Sequence, residues 1–148
     1  MSELNEKEML GVIEKIRKSV EFFSNFEPYE LVDMLKVSTT KKIKPGEVIF
    51  REGEQGQEMY IIVYGSVSIY KGERELAELG TNNYFGEMGI IQHDAPRTAS
   101  AKALTDTLLM IVNENILSST NITLKLKLYK NFCQMLAQRL RVTNEELT

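Results

Sequence analysis

The stretch FGEMGIIQHDAPRTASA, residues 85–101, gathers residue types that could hold an anion. Gly86 and Gly89 allow the backbone to approach a ligand closely and to turn its N–H groups inward. A short helical turn after Gly86 would leave N–H groups without intrahelical partners, a setting that favours negative charge. Arg97 offers a planar fork matched to two phosphate oxygens and stays charged at every relevant pH. The Thr98 hydroxyl and the Ala99 N–H could add donors, and Pro96 would stiffen the approach to Arg97. Glu87 would repel a bare anion, but a carboxylate accepts hydrogen bonds from hydroxyls well, so the combination points to a sugar phosphate. On residue types alone, a surface loop with a weak Glu87–Arg97 ion pair serves equally well.

Short strands must frame this stretch. From about Val37 the chain breaks into runs of roughly 4–6 residues between turn formers. Pro45-Gly46 is a turn signal, EVIF a short strand and EGEQGQE a polar loop. MYIIVYG and SVSIYKG are β-branched and aromatic runs separated at Gly65, and Gly72 turns the chain before RELAEL. RTASAKAL and TLLMIV complete the set. Seven or eight such runs without intervening helices predict an α+β fold built on an antiparallel jelly roll or barrel, residues 37–112. Helices flank it. Leu4, Met9, Val12, Ile13, Ile16 and Val20 recur at helical spacing, and Pro28 is placed to open a second short helix, giving an N-terminal helical region over residues 1–36.

The last region, 113–148, reads as helix from about Asn113 with a break near SSTN. TLKLKLYK alternates like a strand, but the apolar pattern runs on through NFCQMLAQRLRVTNEEL, too long for an ordinary strand. At about 100° per residue, Leu124, Leu128, Phe132, Met135 and Val142 share one side. Tyr129, Cys133, Leu136, Ala137 and Leu140 lie on an adjoining side. An arc this wide fits either deep packing in the chain's own domain or a second contact, with a partner helix or a ligand. Cys133, the one cysteine, is expected in the core.

Composition excludes several alternatives. A chain of 148 residues with 43% apolar and 26% charged residues suits one globular domain with a full core. A net charge of −3 argues against a dominant nucleic-acid surface. One cysteine permits no intrachain disulfide and fits a reducing compartment. With no signal-peptide core at the N-terminus and no bilayer-length apolar run, the expected location is the cytoplasm, with no membrane partner. His93 is the one histidine, whereas a metal-dependent β-barrel enzyme normally needs several histidine ligands. No metal and no catalysis are therefore expected. Lys41, Lys42 and Lys44 read as a solvated strand edge.

The order of the residues adds a resemblance. FGEMGI followed by APRTASA resembles the phosphate-binding cassette of cyclic nucleotide-binding domains, in which F-G-E precedes an apolar and a small residue, here Met88 and Gly89. KPGEVIFREGEQGQEMYIIVYGSVSIY looks like the early strands of the same family, and QRLRVTNEEL is similar to the dimer helix of the bacterial catabolite activators. The resemblance covers about residues 22–146. It implies a regulatory sensor of a 3′,5′-cyclic nucleotide, cyclic AMP by preference, with Gly86 and Glu87 on the ribose 2′-hydroxyl side. Arg97 would take the cyclic phosphate, helped by Thr98 and the N–H groups of Gly89 and Ala99. Thr143 would touch the base within one subunit, and Asn144 would reach it from the other subunit of a homodimer. Thr98 also suits a guanine amino group, so a cyclic GMP sensor is the alternative, beside a scaffold that binds nothing. The activators continue into a DNA-binding domain. If the 148 residues are the whole protein, no direct DNA binding is expected and the signal would pass to an effector protein; the other reading is a piece of a longer chain.

Overall fold

The computed structural model describes residues 5–19, 23–37, 39–81, 83–87, 95–113 and 122–147. Helices α1 (Glu6–Ser19) and α2 (Pro28–Val37) come first. Eight strands follow: β1 (Thr39–Ile43), β2 (Val48–Phe50), β3 (Glu58–Tyr64), β4 (Val67–Lys71), β5 (Arg74–Leu79), β6 (Tyr84–Phe85), β7 (Ser100–Ala103) and β8 (Thr107–Asn113). Helix α3 (Ile122–Leu147) ends the described chain. The strands form two antiparallel four-stranded sheets, ordered β1-β8-β3-β6 and β2-β7-β4-β5, and with the helices they make the expected α+β jelly roll.

Local chemistry accounts for the helix starts. The Asn5 side chain accepts from the Glu8 N–H at 2.8 Å and donates to the Glu8 carboxylate at 2.6 Å, a reciprocal cap on α1. Pro28 occupies the first position of α2, and Glu30 reaches back to accept from the Glu27 N–H at 2.8 Å.

Strands β3 and β8 are apolar on both faces because both faces are covered. Along β3, Met59, Ile61 and Val63 meet the helices, while Tyr60 and Ile62 turn into the space between the sheets. Along β8, Leu108, Met110 and Val112 face the helices and Leu109 faces inward. Phe23, Phe26, Leu31, Met34, Leu124, Leu128 and Phe132 complete the helical layer, and Ile43, Val67, Phe85, Ala101 and Ala103 the interior one. The register places Tyr60 opposite both Ile111 and Phe85, and Phe50 opposite Ala101. The ends of β2 and β6 and the middle of β3 therefore meet at one place.

Helix α3 is tied to the N-terminal helical region by polar contacts. Lys127 Nζ donates to the buried Glu30 carboxylate at 2.6 Å and to the Asn25 carbonyl at 3.1 Å. The Asn131 amide donates to the Asn25 side-chain oxygen at 2.9 Å. Glu30 holds the Lys127 ammonium above its ordinary pKa of 10.5, chiefly through that hydrogen bond.

Two expectations for the last region need correction. Asn113 ends β8 instead of opening a helix, because Thr107–Asn113 pairs with β1 and β3 on both sides. The SSTN segment lies outside the described residues. Cys133 is exposed, not core. The helix buries the arc of Leu124, Leu128, Asn131 and Phe132 and turns the adjoining side, with Tyr129, Cys133 and Leu140, to solvent. The long strand-like alternation in TLKLKLYK is helical, as its length predicts.

Candidate functional site

Arg97 lies three residues before β7, in a segment bound to the loop that joins β2 to β3. Its N–H donates to the Glu54 carbonyl and its carbonyl accepts from the Gly53 N–H, each at 2.8 Å. Gln55 and Pro96 form an isolated antiparallel bridge, and the Ser100 hydroxyl accepts from the Glu52 N–H at 2.9 Å. These contacts clamp the strand end to the loop and fix where the Arg97 side chain starts.

That side chain runs inward and is 7% exposed. Nη1 donates to the Gly86 carbonyl at 2.9 Å and Nη2 to the Glu58 carbonyl at 2.8 Å. The guanidinium carbon sits 4.3 Å from the centroid of the Phe50 ring and 5.9 Å from that of Tyr60. Nε is the one buried side-chain nitrogen or oxygen among the described residues without a hydrogen-bond partner. A buried donor left unmade costs about 1–3 kcal/mol. Arg97 cannot escape that cost by losing its proton, because guanidinium stays charged.

Two glycines make room for this group. A Cβ on Gly56 would overlap the Arg97 guanidinium. Gly86 has a φ of 76°, in the left-handed region, and a Cβ there would come within 3.0 Å of Nη1 and 3.3 Å of the Glu58 carbonyl oxygen. Tyr60 and Phe85 stack at 5.1 Å and 17°, and Phe50 tilts against both at 5.8 and 5.9 Å. The floor of the site is thus aromatic. Burial, followed by the charge of Glu58, pushes the Tyr60 hydroxyl from its ordinary 10.0 up to about 12.

The structure brings Gly86, Glu87 and Arg97 to one region, since β6 carries the first two to the edge of β3. Glu87 is 6% exposed. Ala99 is buried, whereas Pro96 and the Thr98 side chain are exposed. Met88, Gly89 and His93 lie outside the described residues. Thr143 and Asn144 fall on the described backbone of α3, but their side chains lie outside the description. Sequence reasoning passed over Phe50, Gly56, Glu58 and Tyr60. The signal for Tyr60 was in the alternation of MYIIVY, which puts residues 60 and 62 on one face. Phe50 and Gly56 gave no comparable sign, because their partner is distant in sequence. Among the described residues no cluster of three or more metal-ligating side chains occurs, and no helix is long and apolar enough to cross a membrane.

A jelly roll with a buried, incompletely bonded arginine between glycine turns defines a class of binding domain, and comparison with known proteins agrees. The profile of the cyclic nucleotide-binding domain matches residues 40–119, over half of the chain, and the chain belongs to that family. The cAMP-dependent protein kinase regulatory subunit of Hypocrea atroviridis is 31% identical over 102 residues, 69% of this chain and 22% of that protein. The cGMP-dependent protein kinase of Plasmodium berghei is 40% identical over 75 residues, 51% of this chain and 9% of that one. Among solved structures, the catabolite activator protein of Thermus thermophilus aligns with a TM-score of 0.75 and 30% identity, over 85% of this chain and 61% of that one. The chain spans less than a quarter of either kinase-related protein. The matched region is a cyclic nucleotide-binding regulatory domain.

Proposed function

We propose that this domain senses a 3′,5′-cyclic nucleotide, cyclic AMP by preference, and relays its presence through movement of α3. The observation that carries the reading is the unpartnered Nε–H of a buried, carbonyl-oriented Arg97. That donor fits a phosphate oxygen, and the anion would offset the charge of a desolvated guanidinium. In this reading Arg97 holds the cyclic phosphate, assisted by Thr98 and by the N–H groups of Gly89 and Ala99, with Pro96 fixing the approach. Gly86, Glu87 and Met88 take the ribose side, where the Glu87 carboxylate accepts from the 2′-hydroxyl. Thr143 and Asn144 on α3 read the base.

The exposed side of α3 supports the relay. Ile122, Leu126, Tyr129, Cys133 and Leu140 are all exposed and recur at steps of four, three, four and seven residues, the spacing of a two-helix seam. A second copy of α3 covers this stripe in a homodimer, and the ligand shifts the helix by favouring one of its positions. An effector protein in the cytoplasm reads the change.

Titration calorimetry with cyclic AMP, cyclic GMP and the open-chain 5′-monophosphates tests the binding step. Saturable heat with a cyclic nucleotide alone supports it; folded protein that gives no heat with either cyclic nucleotide ends it. The similarity to cGMP-dependent protein kinases favours cyclic GMP as the second reading, and the ratio of the two affinities decides between them.

A further inference from the structure

We propose that Phe50 is a positioning residue for the ligand anion, acting only through Arg97. The proposal rests on the reading of Arg97 as the phosphate anchor. The ring of Phe50 lies 4.3 Å from the guanidinium carbon, well inside the range of a cation–π contact, and Gly56 is bare where any side chain would strike the same group. An aromatic ring over the face of a guanidinium leaves its in-plane N–H groups free. Two of these are used on the carbonyls of Gly86 and Glu58, and Nε–H is not. The ring fixes the plane, the carbonyls fix the rotation within it, and the remaining edge is aimed before any ligand arrives.

The energetic logic follows from side-chain freedom. Arginine loses much rotamer entropy when it is ordered, and ordering it in advance removes that cost from the binding step. Phe50 is suited to the task because it is itself held by Tyr60 and Phe85 and sits at the end of β2, in register with β7. A leucine there would fill part of the volume but present no negative ring face to the cation. Neither carbonyl would then prevent the guanidinium from swinging out of plane.

The test compares wild type, Phe50→Leu, Phe50→Tyr and Arg97→Ala by calorimetry with cyclic AMP and cyclic GMP, and repeats Phe50→Leu in an Arg97→Lys background. Phe50→Leu is expected to weaken binding roughly 3- to 30-fold. Phe50→Tyr should restore most of it, and the leucine effect should shrink below about twofold once Arg97 is lysine, since a lysine has no plane to fix. In the wild-type protein the Arg97 Nε–H proton should give a slowly exchanging resonance displaced by the ring current of Phe50. This readout requires no variant to fold, and its absence overturns the proposal. Binding by Phe50→Leu within twofold of wild type, with Arg97→Ala strongly impaired, overturns the proposal alone. An Arg97→Ala variant that binds normally overturns the phosphate-anchor reading and this proposal together. Equal impairment by Phe50→Leu in both backgrounds assigns Phe50 to packing and also overturns it.

Discussion

Arg97 and Lys127 are both cations drawn from water onto this domain, and their surroundings differ in kind. Lys127 meets a carboxylate: its ammonium donates to Glu30 and to the Asn25 carbonyl, joining α3 to the start of α2. Arg97 meets two carbonyl dipoles and aromatic rings, makes no ion pair among the described residues, and keeps one nitrogen, Nε, with no partner. The first arrangement neutralises charge and closes a junction. The second buries charge without neutralising it, the condition that the proposed anion site requires. A cation whose partners are complete supports the fold; one whose partners stop short carries an unmet donor that costs stability.

The contrast can be broken in order of expected effect. Arg97→Ala should reduce cyclic nucleotide affinity by about 100-fold or more, the scale for truncating one partner of a buried charge pair. Its denaturation midpoint without ligand should fall only modestly, because removal of the unmatched Nε–H partly offsets the loss of the two carbonyl contacts. A large loss of stability would place Arg97 with Lys127 as a structural cation. Gly86→Ala touches the site from the backbone side: a Cβ at a φ of 76°, 3.0 Å from Nη1, should cost about 1–3 kcal/mol in urea unfolding and weaken binding as well. Lys127→Met should cost about 1–3 kcal/mol of stability, since it leaves the buried Glu30 carboxylate with the Glu27 N–H but without its cation. Affinity in that variant should remain within about twofold of wild type, an effect below the resolution that separates linked sites.

The smallest effect is with pH. Both Lys127 and Tyr60 have folded-state pKa values raised above their ordinary ones, Tyr60 to about 12. In each case the folded protein keeps a proton that the unfolded chain releases first. Their contributions are therefore complete below about pH 10 and fade as the pH rises toward 12. Tyr60→Phe should flatten the decline in unfolding free energy over that window, leaving the part due to Lys127. An unchanged slope would mean that the Tyr60 hydroxyl is not desolvated as the structure indicates.

Much of the fold was legible because its signals are local. Turn glycines, β-branched runs and Pro28 each act within a few residues, and the strands other than β6, together with α2, fall where those signals put them. The same holds for the cassette, whose Gly86, Glu87 and Arg97 sit within one short stretch. Cys133 was misread for the opposite reason. An apolar arc on a helix says that something covers it but not what, and the core takes Leu124, Leu128 and Phe132 with part of Leu136, leaving Cys133 outside. Asn113 was misread because β8 is held by partners on both sides, β1 and β3, that a window on the local sequence does not see.

By itself the sequence determined the family, the sheet-rich class and the chemical kinds gathered in the cassette, since each depends on residue type and order. Tertiary structure alone decided how the arginine is held. Phe50, Gly56, Glu58 and Arg97 come from β2, the stretch leading into β3 and the segment before β7, and the pairing of β2 with β7 and the bridge between Gln55 and Pro96 bring them together. Chain order fixes which groups exist, but desolvation and direction depend on what packs around them. For that reason a charge that looked like half of a surface ion pair becomes a buried cation whose Nε–H has no partner.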